Sequence, residues 1–452
     1  MKHIARLIVC AAALLGVKPL IAQSNEDPIR MRVDVDRSVL PANCPGRAVV
    51  NIRLDCPRPP EAARRPPVNL ALVIDRSGSM RGEKIAKARE AALEVVRRLA
   101  PDDIVSLIAF DTEVETLVPA QRVGAARGRL ESAICNIEPG GYTALYGGVV
   151  RGAEEVRRFI EEPNYVNRII LVSDGIANVG PSSPEDLGRL GASLVNEGIS
   201  VTTVGLGLDF NEDLMARLAQ RSDGNTYFAR FSSDLPRIFS AELGDLLSVV
   251  ARRVVITIEF PDGVRPIRFI GREGVIRGQR AELRLNQLYG GQEKFALIEV
   301  EVAPAREGEE REIARARMNC EDALDRRPLS LSASRRVQFS NSQEAVVQSA
   351  DKKVQADFAA NVLALAKEEA VALVDAGRKD EAAAVIRQKA AELKSLGATY
   401  GNAAVAGCAA AAAPEADRIE RDGLDNVTRK AYRAESSQVR NQQATDSDPH
   451  GP

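Results

Sequence analysis

An α/β fold follows from three features of the 452-residue sequence: a doubly wound, mostly parallel sheet inserted in or flanked by a small β-sandwich, with a C-terminal helical hairpin. Near-continuous apolar runs such as 69–74 and 168–173 have the character of strands buried on both faces. Amphipathic segments alternate with them, as at 84–99, where Ile85, Ala88, Ala92, Val95 and Leu99 share one side. Stretches of period-two alternation lie before and after this block.

In chain order, residues 1–22 read as a secretory leader. Lys2, His3 and Arg6 precede an apolar run at 7–17, which is too short to span a bilayer comfortably, and a polar stretch begins at Gln23. The mature chain is thus expected to be exported, periplasmic or extracellular, with no transmembrane segment. Residues 28–60 form a β segment through Ile29, Met31, Val33 and Val35, then Val49, Ile52 and Leu54. The Pro- and Arg-rich stretch 57–67 marks a boundary. The α/β domain is expected over 68–247, with strands at 104–110, 114–118, 168–173, 200–204 and 225–228. Helices are expected at 84–99, 144–160, 187–196, 211–220 and 235–249. Residues 250–340 return to alternation and read as a sandwich that shares its sheets with 28–60. An Ala-rich helical hairpin spans 343–398, broken at Gly377, and 409–452 reads as a disordered tail apart from a helix around 429–440.

Composition removes several function classes. Lys+Arg 61 against Asp+Glu 63 gives a net charge of −2, so no nucleic-acid partner or anionic membrane is suggested. Apart from His3 in the leader and His450 at the end, the chain contains no histidine, which excludes a Ser-His-Asp arrangement or a His-ligated zinc from the folded body. With Cys10 assigned to the leader, five cysteines are left, an odd number. Cys44 and Cys56 are the candidate disulfide pair, with two reduced buried thiols as the alternative.

The chemistry is concentrated in Val73-Ile74-Asp75-Arg76-Ser77-Gly78-Ser79-Met80, where an apolar strand ends and Asp75, Ser77 and Ser79 offer oxygens at alternate positions. Ligands of open α/β sheets bind at the carboxyl ends of strands, where this loop falls. A second strand ends at Asp174-Gly175, and Gly140-Gly141-Tyr142-Thr143 places a further hydroxyl just ahead of a helix. Two carboxylates and three hydroxyls, with no nitrogen or sulfur, select Mg²⁺, Mn²⁺ or Ca²⁺, and short side chains with few charges favour Mg²⁺. Asp75 and Ser77 alone would read as a helix cap; with Thr143 and Asp174 they read as a metal site. Phe110-Asp111-Thr112 is read as a structural turn, 307–311 as a solvated charged loop, and Gly205-Leu206-Gly207 is too incomplete for a dinucleotide loop.

Asp75-x-Ser77-x-Ser79, Thr143 and Asp174-Gly175, in this strand order, resemble the metal-ion-dependent adhesion site of von Willebrand factor type A domains over about 68–247. The resemblance implies that Ser77 and Ser79 ligate directly and that Thr143 joins in the partner-bound state. It also implies that Asp75 and Asp174 hold the ion largely through water. The flanking segments are similar to secreted bacterial proteins of this class and to inter-alpha-trypsin-inhibitor heavy chains. The implied function is non-enzymatic: Mg²⁺-dependent binding of an acidic group on a protein partner. A Mg²⁺-dependent hydrolase and a subunit of an envelope assembly machine are the alternatives.

Overall fold

The computed structural model describes residues 29–58, 65–162 and 164–443. The expected leader lies outside them, as do most of the 57–67 connector and the last nine residues. A six-stranded sheet forms the centre of the α/β domain. In spatial order it runs Val114–Arg122, Ile104–Phe110, Val68–Asp75, Val166–Ser173, Ile199–Leu206 and Thr226–Ala229. All pairings are parallel except the Val114–Arg122 edge. The Val68–Asp75 strand is buried along its whole length because helices cover both faces. Ile85, Val95, Leu130, Ile134, Phe239 and Leu243 pack on one side, and Leu145, Val149, Leu187, Leu194, Leu214 and Leu218 on the other. The chain runs outward from Val68–Asp75 in one direction, then returns to its other flank at Val166–Ser173, so strand order reverses at this strand. Its C-terminal end is where such sheets open a crevice.

Chain from both sides of the α/β domain builds one sandwich. Gly46–Cys56 pairs antiparallel with Gln292–Val302, in a sheet completed by Arg30–Val35 and Val264–Ile270. The facing six-stranded sheet is centred on Val249–Glu259 and Glu310–Asp322, and Val39–Pro41 joins Pro328–Ser340 at its edge. Val50, Ile52, Leu54, Ile256, Ile258 and Ile298 fill the space between. Among the described residues no helix is long and apolar enough to cross a membrane.

Several expectations are corrected. Cys44 and Cys56 are both free. Gly46–Cys56 is one extended strand, whose ten steps separate its ends by roughly 33 Å, whereas a disulfide needs Cα atoms about 6 Å apart. A helix at Val123–Cys135 was not anticipated. Residues 310–311 open a long central strand rather than lying in a solvated loop. The expected disordered tail is largely folded. Lys352–Asp375 and Lys379–Tyr400 are followed by a helix at Ala403–Asp422, in place of the expected disorder from 409, and by Asn426–Asn441, where a helix around 429–440 is expected. Alanine is the best helix former, and Val405, Ala409, Ala412, Ala416 and Ile419 give the third of these helices a small-residue stripe that packs with Ile386 and Leu393 of the second.

The last helix returns to the α/β domain. Lys430 Nζ donates to Phe210 O at 2.6 Å and to Glu212 Oε2 at 2.5 Å, while Arg429 reaches Glu212, Asp213 and Asp375. Lys430 and Glu212 are both buried, so removing the ammonium leaves Glu212 to Arg429 alone and the Phe210 carbonyl without this donor. Lys430→Met is expected to cost about 2 kcal/mol in urea unfolding followed by far-UV circular dichroism. Lys87→Met, which breaks an exposed pair with Glu90, leaves the midpoint unchanged.

Candidate metal centre

Asp75 closes the central strand, and both its oxygens turn inward. Oδ1 accepts the Ser77 N–H at 2.7 Å, and Oδ2 accepts the Ser173 hydroxyl. That Asx turn swings Ser77 Oγ to within 3.1 Å of Ser79 Oγ, and Ser79 Oγ donates to Asp174 Oδ1 at 2.8 Å. The helix-cap alternative for Asp75 and Ser77 does not hold. Neither the short turn at Gly78–Met80 nor the Glu83–Arg98 helix takes a side-chain cap, and the latter begins on Gly82.

Thr143 arrives from a separate loop. A methyl group on Gly175 would lie 2.9 Å from Thr143 Oγ1 and 3.5 Å from Asp75 Oδ2, so only glycine lets these three segments meet. Two backbone bonds lock the loop to the first one: Gly140 N–H to Arg76 O at 2.7 Å and Gly78 N–H to Gly141 O at 3.1 Å. Gly141 adopts φ +71°, and a side chain there would strike Thr112. Asn178 completes the clamp by accepting the Thr143 N–H at 2.8 Å, and its own N–H returns to Thr143 O at 3.2 Å. Asp111 and Thr112 have a bracing role. Asp111 Oδ2 accepts from Arg76 Nε at 3.0 Å and its carbonyl from the Ala144 N–H, while Thr112 Oγ1 accepts the Tyr142 N–H. At the neighbouring strand end, Gly205 clears room for the Phe210 ring, which accounts for that glycine without a nucleotide.

All five residues named from the sequence are thus brought to one place, with Asp75, Ser77, Thr143 and Asp174 buried and Ser79 exposed. Among the described residues no three acidic, histidine or cysteine side chains converge as a metal cluster, so the donors here are two carboxylates and hydroxyls. They fit a small hard cation. Hydroxyl and carboxylate oxygens are the hard donors such a cation takes, and hydrogen bonds of 3.1 and 2.8 Å already gather the Ser77, Ser79 and Asp174 oxygens at one point. Sequence reasoning missed Ser173, Asn178 and Lys84. Lys84, in the first turn of the Glu83–Arg98 helix, places its ammonium on Asp174 Oδ2. Its helical position carries no signal of that contact, which depends on how the helix crosses the sheet.

Residues 69–241 match the family model for the von Willebrand factor type A domain. The uncharacterized protein sll0103 of Synechocystis is 29% identical over 247 residues, which are 52% of this chain and 57% of that protein. Rat inter-alpha-trypsin inhibitor heavy chain H3 is 32% identical over 171 residues, 36% of this chain and 19% of that protein. The chain therefore spans about half or less of these curated relatives. Among solved structures, a von Willebrand factor type A protein from Catenulispora acidiphila shares the fold at a TM-score of 0.66 and 19% identity, over 84% of this chain and 88% of that one. The ArnB paralog VWA2 of Sulfolobus acidocaldarius shares it at 0.59 and 18%, over 91% and 98%.

Burial pushes the Asp75 carboxyl up to about 6, and the nearby Asp174 charge adds to the rise against the hydrogen bonds from Ser173 and Ser77. A carboxyl raised in this way binds its proton more tightly when folded. Its contribution to stability is present below about pH 4 and is lost as pH rises through about 6. Asp75→Asn should therefore raise the thermal midpoint in EDTA at pH 7.5, change it little at pH 4.5, and abolish stabilisation by Mg²⁺.

Proposed function

We propose that the chain, whose residues 69–241 match the family model for the von Willebrand factor type A domain, is a metal-dependent protein-interaction module rather than an enzyme. Asp75, Ser77, Ser79, Thr143 and Asp174 hold Mg²⁺, and a carboxylate of a protein partner completes the ion's shell. The observation that carries this reading is the convergence of hydroxyl and carboxylate oxygens from three loops at the switch point of the sheet. When bound, the ion supplies a positive Lewis-acidic centre for an anionic group. The protein's residues position it: Ser173 and the Ser77 amide orient Asp75, and Asn178 fixes the Thr143 backbone. No histidine occurs between His3 and His450. Lys84, the cation in contact with the site, is engaged by Asp174, so no free general base supports the hydrolase alternative. We place the protein outside the cytoplasm on the reading of residues 1–22 as an export signal.

Calorimetry on the full chain tests the site. Asp75→Ala should abolish the heat of Mg²⁺ binding with the far-UV spectrum unchanged, and an unchanged affinity removes the assignment. Thr143→Ala separates resting ion from partner-bound ion. Its Mg²⁺ affinity should fall by no more than a few fold, while binding of the loaded protein to an immobilised glutamate-bearing peptide should weaken by about 2 kcal/mol, roughly thirtyfold. Equal losses in both titrations would mean that Thr143 holds the resting ion and that no such switch operates.

A further inference from the structure

The mouth of the site is apolar. Among the described residues, the exposed large apolar side chains are Tyr142 (66%), Ile176 (60%), Leu208 (39%), Phe231 (61%), Val275 and Leu324. The first four belong to loops at the C-terminal edge of the parallel sheet. Tyr142 precedes Thr143, and Ile176 follows Asp174-Gly175. Leu208 lies just beyond the Ile199–Leu206 strand and Phe231 just beyond Thr226–Ala229. The strands ending at Asp75, Ser173, Leu206 and Ala229 are consecutive neighbours in the sheet, so their ends stand in a row about 4.8 Å apart. Lys84 links the row. Its ammonium is on Asp174, and a methyl group on Gly207 would lie 3.6 Å from its Cε and Nζ. Beside it, a depression of about 240 Å³ is bounded by Lys84, Leu206, Gly207, Arg230 and Phe231. Arg230 is exposed, and its guanidinium lies 5.3 Å over the Phe231 ring.

Single exposed apolar side chains need no explanation, but their concentration around one polar centre does. Apolar groups ringing a charged contact exclude water from it, which lowers the local dielectric and strengthens the attraction. We propose that these four side chains form the recognition rim for a protein segment whose metal-bound carboxylate carries apolar side chains two residues away on each flank. In an extended segment, positions i−2 and i+2 point to the same side as i and lie about 7 Å from it. The Ile199–Leu206 and Thr226–Ala229 strands lie one and two places beyond the strand that leads to Asp174. A segment with its carboxylate at the metal site and laid along the row therefore directs one flank toward the Leu208–Phe231 depression and leaves the other for Tyr142 and Ile176. Glu83, Lys84 and Arg230 line that side of the mouth, and with Lys84 engaged by Asp174 the exposed Arg230 supplies the positive charge beside the rim. The inference rests on the carboxylate-binding reading above and specifies its partner.

Fluorescein-labelled peptides tested by anisotropy against the Mg²⁺-loaded full chain decide it. One peptide is Phe-Ser-Glu-Ser-Leu between glycines, the second replaces Phe and Leu by Ser, and the third replaces Glu by Gln. The apolar-flanked glutamate peptide should bind roughly tenfold more tightly than the serine-flanked one. Phe231→Ser and Ile176→Ser, both at exposed positions, should each weaken it several fold and leave Mg²⁺ affinity unchanged. If the first two peptides bind alike, or neither binds, or the rim substitutions have no effect, the rim is overturned. Binding that needs Mg²⁺ and Glu but ignores the flanks overturns the rim and keeps the metal reading. Binding that needs the flanks and the rim but survives EDTA and the Gln peptide does the reverse.

Discussion

Two carboxylates, Asp75 and Asp174, are buried at the ends of adjacent parallel strands, and the arrangement of the mouth of the sheet follows from that placement. Burial pushes the Asp75 carboxyl up to about 6, and the Asp174 charge beside it adds to the rise. Each surrounding device answers that charge. Ser173 and the Ser77 amide donate to Asp75, Ser79 donates to Asp174, and Lys84 lays an ammonium against the same group. The loops could have relaxed by moving apart. They do not, because Gly175 permits a close approach and the Arg76–Gly140 and Thr143–Asn178 bonds hold them together.

The opposite end of the sheet explains why this strained mouth can be rigid. Arg168, near the start of the Val166–Ser173 strand, is fully buried. It donates to Thr202 at 3.1 Å and to Gln287 at 2.7 Å, reaches Tyr289, and pairs with Glu242 at 3.3 Å. Gln287 and Tyr289 belong to the sandwich, so one guanidinium ties the base of the parallel sheet to the flanking domain. Further round, Lys294 of the sandwich donates to Asn441 O and Gln442 O at 2.8 Å, anchoring the end of the last helix, whose Arg429 and Lys430 grip the α/β domain. The strand that carries Arg168 near its start ends beside Asp174, so the anchored base and the open mouth are two ends of one element. The sandwich thereby stiffens the site without covering it.

How much of this was legible in the sequence varied with how local the signal was. The buried strands announced themselves through continuous apolar runs, and the site through three oxygen-bearing residues in five positions. What stayed hidden depended on small residues or on distant crossings. The Glu310–Asp322 strand presents Ala314, Ala316, Met318 and Cys320 inward between arginines and an asparagine, an alternation too weak in hydrophobicity to separate from a charged loop. Val123–Cys135 is interrupted by Gly124 and Gly128, which lower helix propensity, although Val123, Ala126, Leu130 and Ile134 keep the spacing. The alanine-rich C-terminal helices gain stability only by packing on helices and domains far back in the chain. Lys84 and Asn178 are unremarkable letters until the fold sets them beside Asp174 and Thr143.

The charge balance of the mouth supports the proposed acidic partner independently of family likeness. Asp75 and Asp174 carry −2 when ionised, and Lys84 returns +1, leaving one negative charge in a largely desolvated pocket. A divalent cation turns that −1 into +1. The surplus then lies on the open side, because both carboxylates are below and Ser79 and Thr143 approach from the loops. A neutral or basic group would leave it uncompensated, whereas a carboxylate brings the set to zero. With Lys84 fixed to Asp174, a second resident cation would be opposed by like charge, which favours one ion and one anionic ligand. An apolar rim strengthens the same preference, since excluding water makes an uncompensated charge more expensive and a matched one more stable. On the proposed reading, metal, lysine and rim would all favour the same anionic partner group.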